Sequence, residues 1–135
     1  MEANFIGGHP MTGSEKTGIL SATNTLLENA YYIITPTALT PKEEISEFRD
    51  FVLSLGAIPL ILDYKIHDYS TAAISHLPHM IAYSLVNLVH QIDDDKETMK
   101  TIAAGGFKDI TRIASSSPVM WQNICASNRE PLLSL

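Results

Sequence analysis

Cysteine, charge and long apolar runs are all scarce in this chain of 135 residues. The lone cysteine, Cys125, cannot close an internal disulfide, which fits a reducing cytoplasm and excludes a disulfide-stapled fold. Charged residues make up 18% and the formal net charge is -6, so the basic footprint of a nucleic-acid binder is missing. No uninterrupted apolar run reaches the roughly 20 residues of a bilayer span. Met1-Glu2-Ala3-Asn4 has neither the basic region nor the apolar stretch of a signal peptide. Neither a membrane nor a nucleic acid is expected as partner. No G-x-G-x-x-G follows a strand pattern, so no dinucleotide-binding βαβ unit opens in these residues. Internal repeats and low-complexity segments are also missing. What is there is 45% apolar, enough for a globular core.

The order of elements reads as α/β first and all-α afterwards. Asn4-Phe5-Ile6 ends a short strand. Gly7 to Gly18 reads as a glycine-rich loop, and Ser21 to Asn29 as a short helix. Tyr31 to Thr35 is a β-rich run stopped by Pro36. A helix follows, with Thr40 as N-cap, Pro41 at the first position and Glu43 closing a capping box. Ile45, Phe48, Val52 and Leu55 recur at helical spacing, and Gly56 ends the helix. Ala57 to Leu62 forms a second strand, placed at an edge by Pro59, and parallel pairing with the first is expected. From Asp68 to Gln91 the pattern is helical and apolar, with Pro78 as a kink and Asp68 as a cap. Thr98–Ala104, Lys108–Ala114 and Pro118–Ala126 read as further helices, the last capped by Ser117.

Several side chains in this frame can carry chemistry. His9 is either a turn histidine bonded to backbone or a general base, since a neutral imidazole with a pKa near ~6.5 accepts a proton at physiological pH. His76 and His79 lie three apart, on one helix face. That spacing can chelate, yet no third ligand follows in a zinc pattern, so no metal is expected. Lys108 and Arg112 lie four apart on one side of a short helix, where Asp109 can pair with Arg112. Trp121 reads as core, and His67 has no partner that sequence alone can name.

Three separated segments then carry a resemblance. They are Gly7-Gly8-His9-Pro10-Met11-Thr12-Gly13-Ser14-Glu15-Lys16-Thr17-Gly18, the pair His67-Asp68-Tyr69 and Ser75-His76-Leu77-Pro78-His79, and Gly105-Gly106-Phe107-Lys108-Asp109-Ile110-Thr111-Arg112 running on to Trp121. In this order they resemble the prephenate dehydrogenases, over roughly Phe5 to Asn128. The resemblance implies that residues 1–64 are the end of a Rossmann-like nucleotide-binding domain. Residues 65–135 would be the first part of an all-α substrate-binding and dimerisation domain. It implies oxidative decarboxylation of prephenate to 4-hydroxyphenylpyruvate with hydride transfer to NAD or NADP, in tyrosine biosynthesis in the cytoplasm. His9 would be the catalytic base. Ser14, Glu15, His79, Lys108 and Arg112 would line the substrate pocket, supported by Ser75 and His76. The partner would be a second copy, in a homodimer open to exchange of elements. Because the cofactor fingerprint is missing, these residues alone are expected to be inactive. Arogenate as substrate and a non-catalytic helical dimerisation module are the alternatives.

Overall fold

The structure, a computed structural model, describes residues 4–13 and 18–135. The chain divides into two compact units, Met1–Asp68 and Tyr69–Leu135.

The first unit is built on a three-stranded sheet in the order β1 (Ile6–Pro10), β2 (Tyr31–Pro36), β3 (Ile58–Ile61). β1 runs antiparallel to β2 and β3 runs parallel to it. Helix α1 (Lys42–Ser54) makes the crossover between the parallel strands. Its apolar stripe is covered in part: Val52 is buried and Ile45 and Phe48 half-buried, whereas Leu55 is exposed. Val52 is fully buried with Ile34 of β2 and Ala57, and Phe48, Tyr32, Leu27 and Ile6 pack around them. Burial of one such aliphatic side chain is worth about 1.5–3 kcal/mol. Gly56 closes the helix at φ 78°, the left-handed region that glycine enters without a Cβ clash. Pro59 sits in the edge strand β3, opposite Tyr32.

Three local expectations are corrected in this unit. Gly7, Gly8 and His9 are strand residues rather than loop, and His9 is paired with Ile33. Close packing explains the glycines: a Cβ on Gly8 would come within 2.8 Å of the Tyr32 hydroxyl, and one on Gly7 would collide with Thr35 Oγ1. Ser21–Asn29 is not a helix; a single 3₁₀ turn, Ile19–Ser21, is followed by turns that end at Asn29, with φ 59°. Thr40 does not cap α1. Its hydroxyl accepts from the Thr37 amide instead, and Pro41 takes the N-cap position with no side-chain capping bond.

Helix α2 (Tyr64–Thr71) follows β3, and the division between the units falls inside it. Asp63, not Asp68, serves its N-terminus: the Asp63 carboxylate accepts from the Lys65 amide at 2.9 Å. A π-helical segment, Ala72–His76, leads on to α3 (Leu77–Ile92). Pro78 therefore falls in the first turn of α3, where a missing amide is tolerated. The wider π turn shifts the helical register just before Pro78. The helical stretch from Tyr64 to Ile92 spans 29 residues and is long and apolar enough to cross a membrane by length and composition alone. Reading uninterrupted runs missed this, because Ser75, His76, His79, Ser84 and Asn87 break the apolar sequence.

The rest of the second unit is α4 (Thr98–Ile102), α5 (Gly105–Thr111), a 3₁₀ turn Arg112–Ser115, α6 (Pro118–Ser127) and α7 (Arg129–Leu133). Ser117 caps α6 through the Met120 amide, as expected. Gly105 and Gly106 begin α5 rather than preceding a helix, and α7 was not foreseen.

Candidate functional site

His9 projects from β1 towards α2. Its Nδ1 lies 2.8 Å from Nε2 of His67, and the two rings meet edge to face at 5.1 Å. On its other side, His67 places Nδ1 2.8 Å from Oδ1 of Asp68. The three groups thus form a continuous chain, imidazole to imidazole to carboxylate, within the first unit. The His67 side chain is largely enclosed, at 16% exposure, whereas Asp68 is 42% exposed. His9 keeps an exposed edge, but its packing against α2 removes enough water to hold its pKa below the ordinary histidine value. The neighbouring His67 charge lowers it further. A histidine so placed is neutral and able to accept a proton at physiological pH. His67 and Asp68 are the functional candidates that sequence reasoning did not find. The signal was present only as the adjacency His67-Asp68, with nothing to say that His9 would meet it.

Ser14 and Glu15 lie outside the described residues.

In the second unit His76 and His79 share one side of the helical stretch, as their spacing requires, and both reach Trp121 of α6. His79 stacks on the indole, with ring centroids 3.4 Å apart, and His76 meets it edge-on at 6.1 Å. The Nδ1 atom of His79 is 2.9 Å from the Ser75 carbonyl, so that nitrogen carries hydrogen and donates. His76 Nδ1 accepts from the Asn128 amide at 3.1 Å. Each ring is therefore fixed in orientation. Trp121 is buried at 7% exposure, in line with a core residue, yet its indole N–H has no hydrogen-bond partner among the described residues. Such an orphan donor is costly in a packed interior.

Lys108 lies on α5 and Arg112 opens the 3₁₀ turn after it. Both are exposed. The expected pairing of Arg112 with Asp109 is not made: among the described residues no ion pair joins them, and both side chains are exposed to water, where such a pair gains little. Lys108 instead borders a groove of about 600 Å³ whose apolar wall is Val86, Val89, Ala103 and Phe107.

Comparison with known proteins assigns both parts to one class, oxidoreductases that join a nucleotide-binding domain to a dimerisation domain. Residues 1–60 match the prephenate dehydrogenase nucleotide-binding domain, and residues 63–135 match the prephenate dehydrogenase dimerisation domain. The chain belongs to the prephenate dehydrogenase family. It is 43% identical over 129 residues to prephenate dehydrogenase of Bacillus subtilis, covering 96% of this chain and 35% of that protein. Prephenate dehydrogenase from A. aeolicus, solved in complex with hydroxyphenyl propionate and NAD+, superposes with a TM-score of 0.89 at 35% identity, over 96% of this chain and 46% of that one. Synechocystis arogenate dehydrogenase superposes at 0.84 with 31% identity, over 98% and 48%. The chain thus spans about a third of the length of its curated relatives and about half of the solved chains.

Proposed function

We propose that this chain contributes the substrate-handling part of a prephenate dehydrogenase. Residues 1–64 are the end of the nucleotide-binding domain and residues 65–135 belong to the helical substrate and dimerisation domain. The observation that carries the reading is His9: a neutral imidazole, held by a second imidazole, with one edge open. In oxidative decarboxylation the hydroxyl-bearing ring carbon loses hydride while its oxygen loses a proton, and His9 takes that proton. Breakage of the bond to the departing carboxylate leaves its electron pair to aromatise the ring. The substrate carries two carboxylates, and Arg112 is the residue suited to grip one, because its planar fork makes two parallel hydrogen bonds. Lys108 adds a second positive charge; His79, Ser14 and Glu15 are further substrate contacts by family resemblance, with Ser75 and His76 as supports.

The described residues do not fit the pyrophosphate of a nicotinamide cofactor. The strand-to-helix turn from β2 to α1, Thr37-Ala38-Leu39-Thr40-Pro41, contains no glycine and so offers no close backbone cradle. No step is therefore assigned to cofactor contacts within this chain. NAD is favoured over NADP by the relative solved with NAD+.

The second unit favours a homodimer. Leu77, Met80, Ile81, Leu85 and Leu88 form one open groove along α3, and Ile81 and Leu88 are each 52% exposed. Covering such a stripe with a second copy accounts for an apolar helix in a cytoplasmic enzyme. Exchange of elements between copies is one way to build that dimer.

Joining the chain behind the nucleotide-binding segment of a relative and supplying NAD with prephenate tests the reading. Reduced-cofactor absorbance should rise with prephenate. A rise with arogenate alone would reassign the substrate, and no rise with either, in a protein that still binds NAD, would refute the enzyme reading.

A further inference from the structure

The chain Asp68–His67–His9 is more than a cluster, because its atoms can be satisfied in only one neutral arrangement. An ionised carboxylate can only accept a hydrogen bond, so His67 must donate to it from Nδ1. A neutral His67 then has a lone pair on Nε2. That atom faces His9 Nδ1 at 2.8 Å, so His9 must carry its hydrogen on Nδ1 and donate. The lone pair of His9 is left on Nε2, the nitrogen not engaged by His67. We propose that His67, backed by Asp68, is a positioning residue that locks His9 in the Nδ1–H tautomer and so makes Nε2 the basic atom.

The lock rests on two side chains separated by 58 positions in sequence, joined because β1 and the start of α2 are packed in one unit. Adjacent residues of a helix normally point in different directions, yet the Asp68 carboxylate lies 2.8 Å from Nδ1 of its neighbour His67. Once His9 has accepted a proton, the same hydrogen bonds remain in place, with the positive ring donating to His67 and the carboxylate one ring further on. No group has to reorganise, which is the advantage of a pre-set donor and acceptor pattern. The consequence for catalysis rests on the reading of His9 as base; the tautomer assignment does not.

Long-range proton–nitrogen correlation spectra of this chain, labelled at histidine nitrogen, test the lock without any turnover. In the unaltered chain, at a pH where His9 is neutral, the Nδ1 signal should be of the hydrogen-bearing type and Nε2 of the lone-pair type. His67→Phe keeps an edge-to-face ring but removes the acceptor, and should let the Nε2–H form of His9 appear. His67→Gln presents an amide oxygen to the same hydrogen and should restore the original pattern. An Nε2–H signal for His9 in the unaltered chain would overturn the proposal, and this single measurement decides even if His67→Phe does not fold. So would a tautomer that His67→Phe leaves unchanged in a folded protein. In the complete enzyme, His67→Phe should lower kcat at least about tenfold with KM little changed, and His67→Gln should recover most of it. If the spectra follow expectation while kcat does not move, the lock stands and His9 is not the base.

Discussion

The two units differ in the core that each closes, although both leave large apolar side chains exposed. The first closes a small core of its own: Ile34 and Val52 are fully buried, and three strands with one helix shield them. The second has more helix, and its buried apolar residues are Ala72, Ala82 and Trp121, with Thr71 and Asn128 beside them; Ile74, Ile102, Ile110, Val119 and Leu133 stand more than half exposed, as Leu20 and Leu39 do in the first. A sheet crossed by a helix has an inside even when small. Helices joined by short turns have one only when enough of them pack, or when a second copy supplies the missing layer. The chemistry follows the same division. His9, His67 and Asp68 are held by the unit that is internally packed, where sub-ångström placement can be maintained. The carboxylate-binding candidates Lys108 and Arg112 are exposed on the unit that looks for cover.

The sharpest way to separate the two is through His9. Replacement by Asn in a complete enzyme should cut turnover by about 10²- to 10⁴-fold, the usual contribution of a general base, and leave the melting temperature nearly unchanged. A variant that loses only substrate affinity at full turnover would make His9 a binding residue. The core of the same unit should respond in the opposite sense. Ile34→Ala removes a fully buried side chain and should cost about 2–5 kcal/mol of stability. Because the two units have separate cores, circular dichroism should show the sheet signal lost at lower denaturant than the helical signal. A single coincident transition for both would show that they unfold together.

How far these features were legible in the sequence depended on range. Helix α1 was readable because Ile45, Phe48 and Val52 recur on one face, β2 because its β-rich run stops at Pro36, and β3 as a short apolar run that Pro59 confines to an edge. Gly7 and Gly8 misled: glycine is depleted in strands, and the space that Thr35 and Tyr32 fill across the ladder cannot be read from one strand alone. The Thr40 cap failed for a related reason, since its hydroxyl had a competing local partner in the Thr37 amide. The family motifs named His9 as a candidate, but the meeting of His9 with His67 is a tertiary event and left no mark in spacing or composition.

Two smaller effects probe the second unit. Arg112→Ala in a complete enzyme should raise KM by about 30-fold, near 2 kcal/mol, the lower end of the range for truncating one partner of a charge pair because the guanidinium is exposed here. Arg112→Lys should rescue poorly, since an ammonium lacks the two-pronged geometry. Unfolding of the helical unit at normal substrate affinity would make Arg112 structural instead. Leu88→Glu places a charge in the groove along α3 and should shift sedimentation at micromolar concentration from dimer towards monomer, with helicity retained. If the unaltered chain is already a stable compact monomer, the contrast between a self-sufficient unit and one that needs a partner collapses.

The smallest expected effect concerns pH. The pKa of His9 is lowered chiefly by burial and secondly by the charge of His67. In a complete enzyme, kcat/KM should therefore fall as acid protonates His9, with the limb lying below the ordinary value near ~6.5. The stability term has the same direction. An unfolded chain binds the proton more readily than the folded one, so His9 costs no stability above the unfolded value. The penalty grows as pH drops through that value towards the folded one and is constant below it. The titratable group that faces His9 is His67 on α2, which is backed in turn by Asp68. Replacing His67 by Phe removes the second cause and leaves the first, so the His9 midpoint, read by nitrogen shifts in this chain, should rise only part of the way to the ordinary value. A full return would show that charge, not loss of water, governs the base. No movement would show that the two rings do not sense one another in solution, and the contact between β1 and α2 would then have no part in setting its basicity.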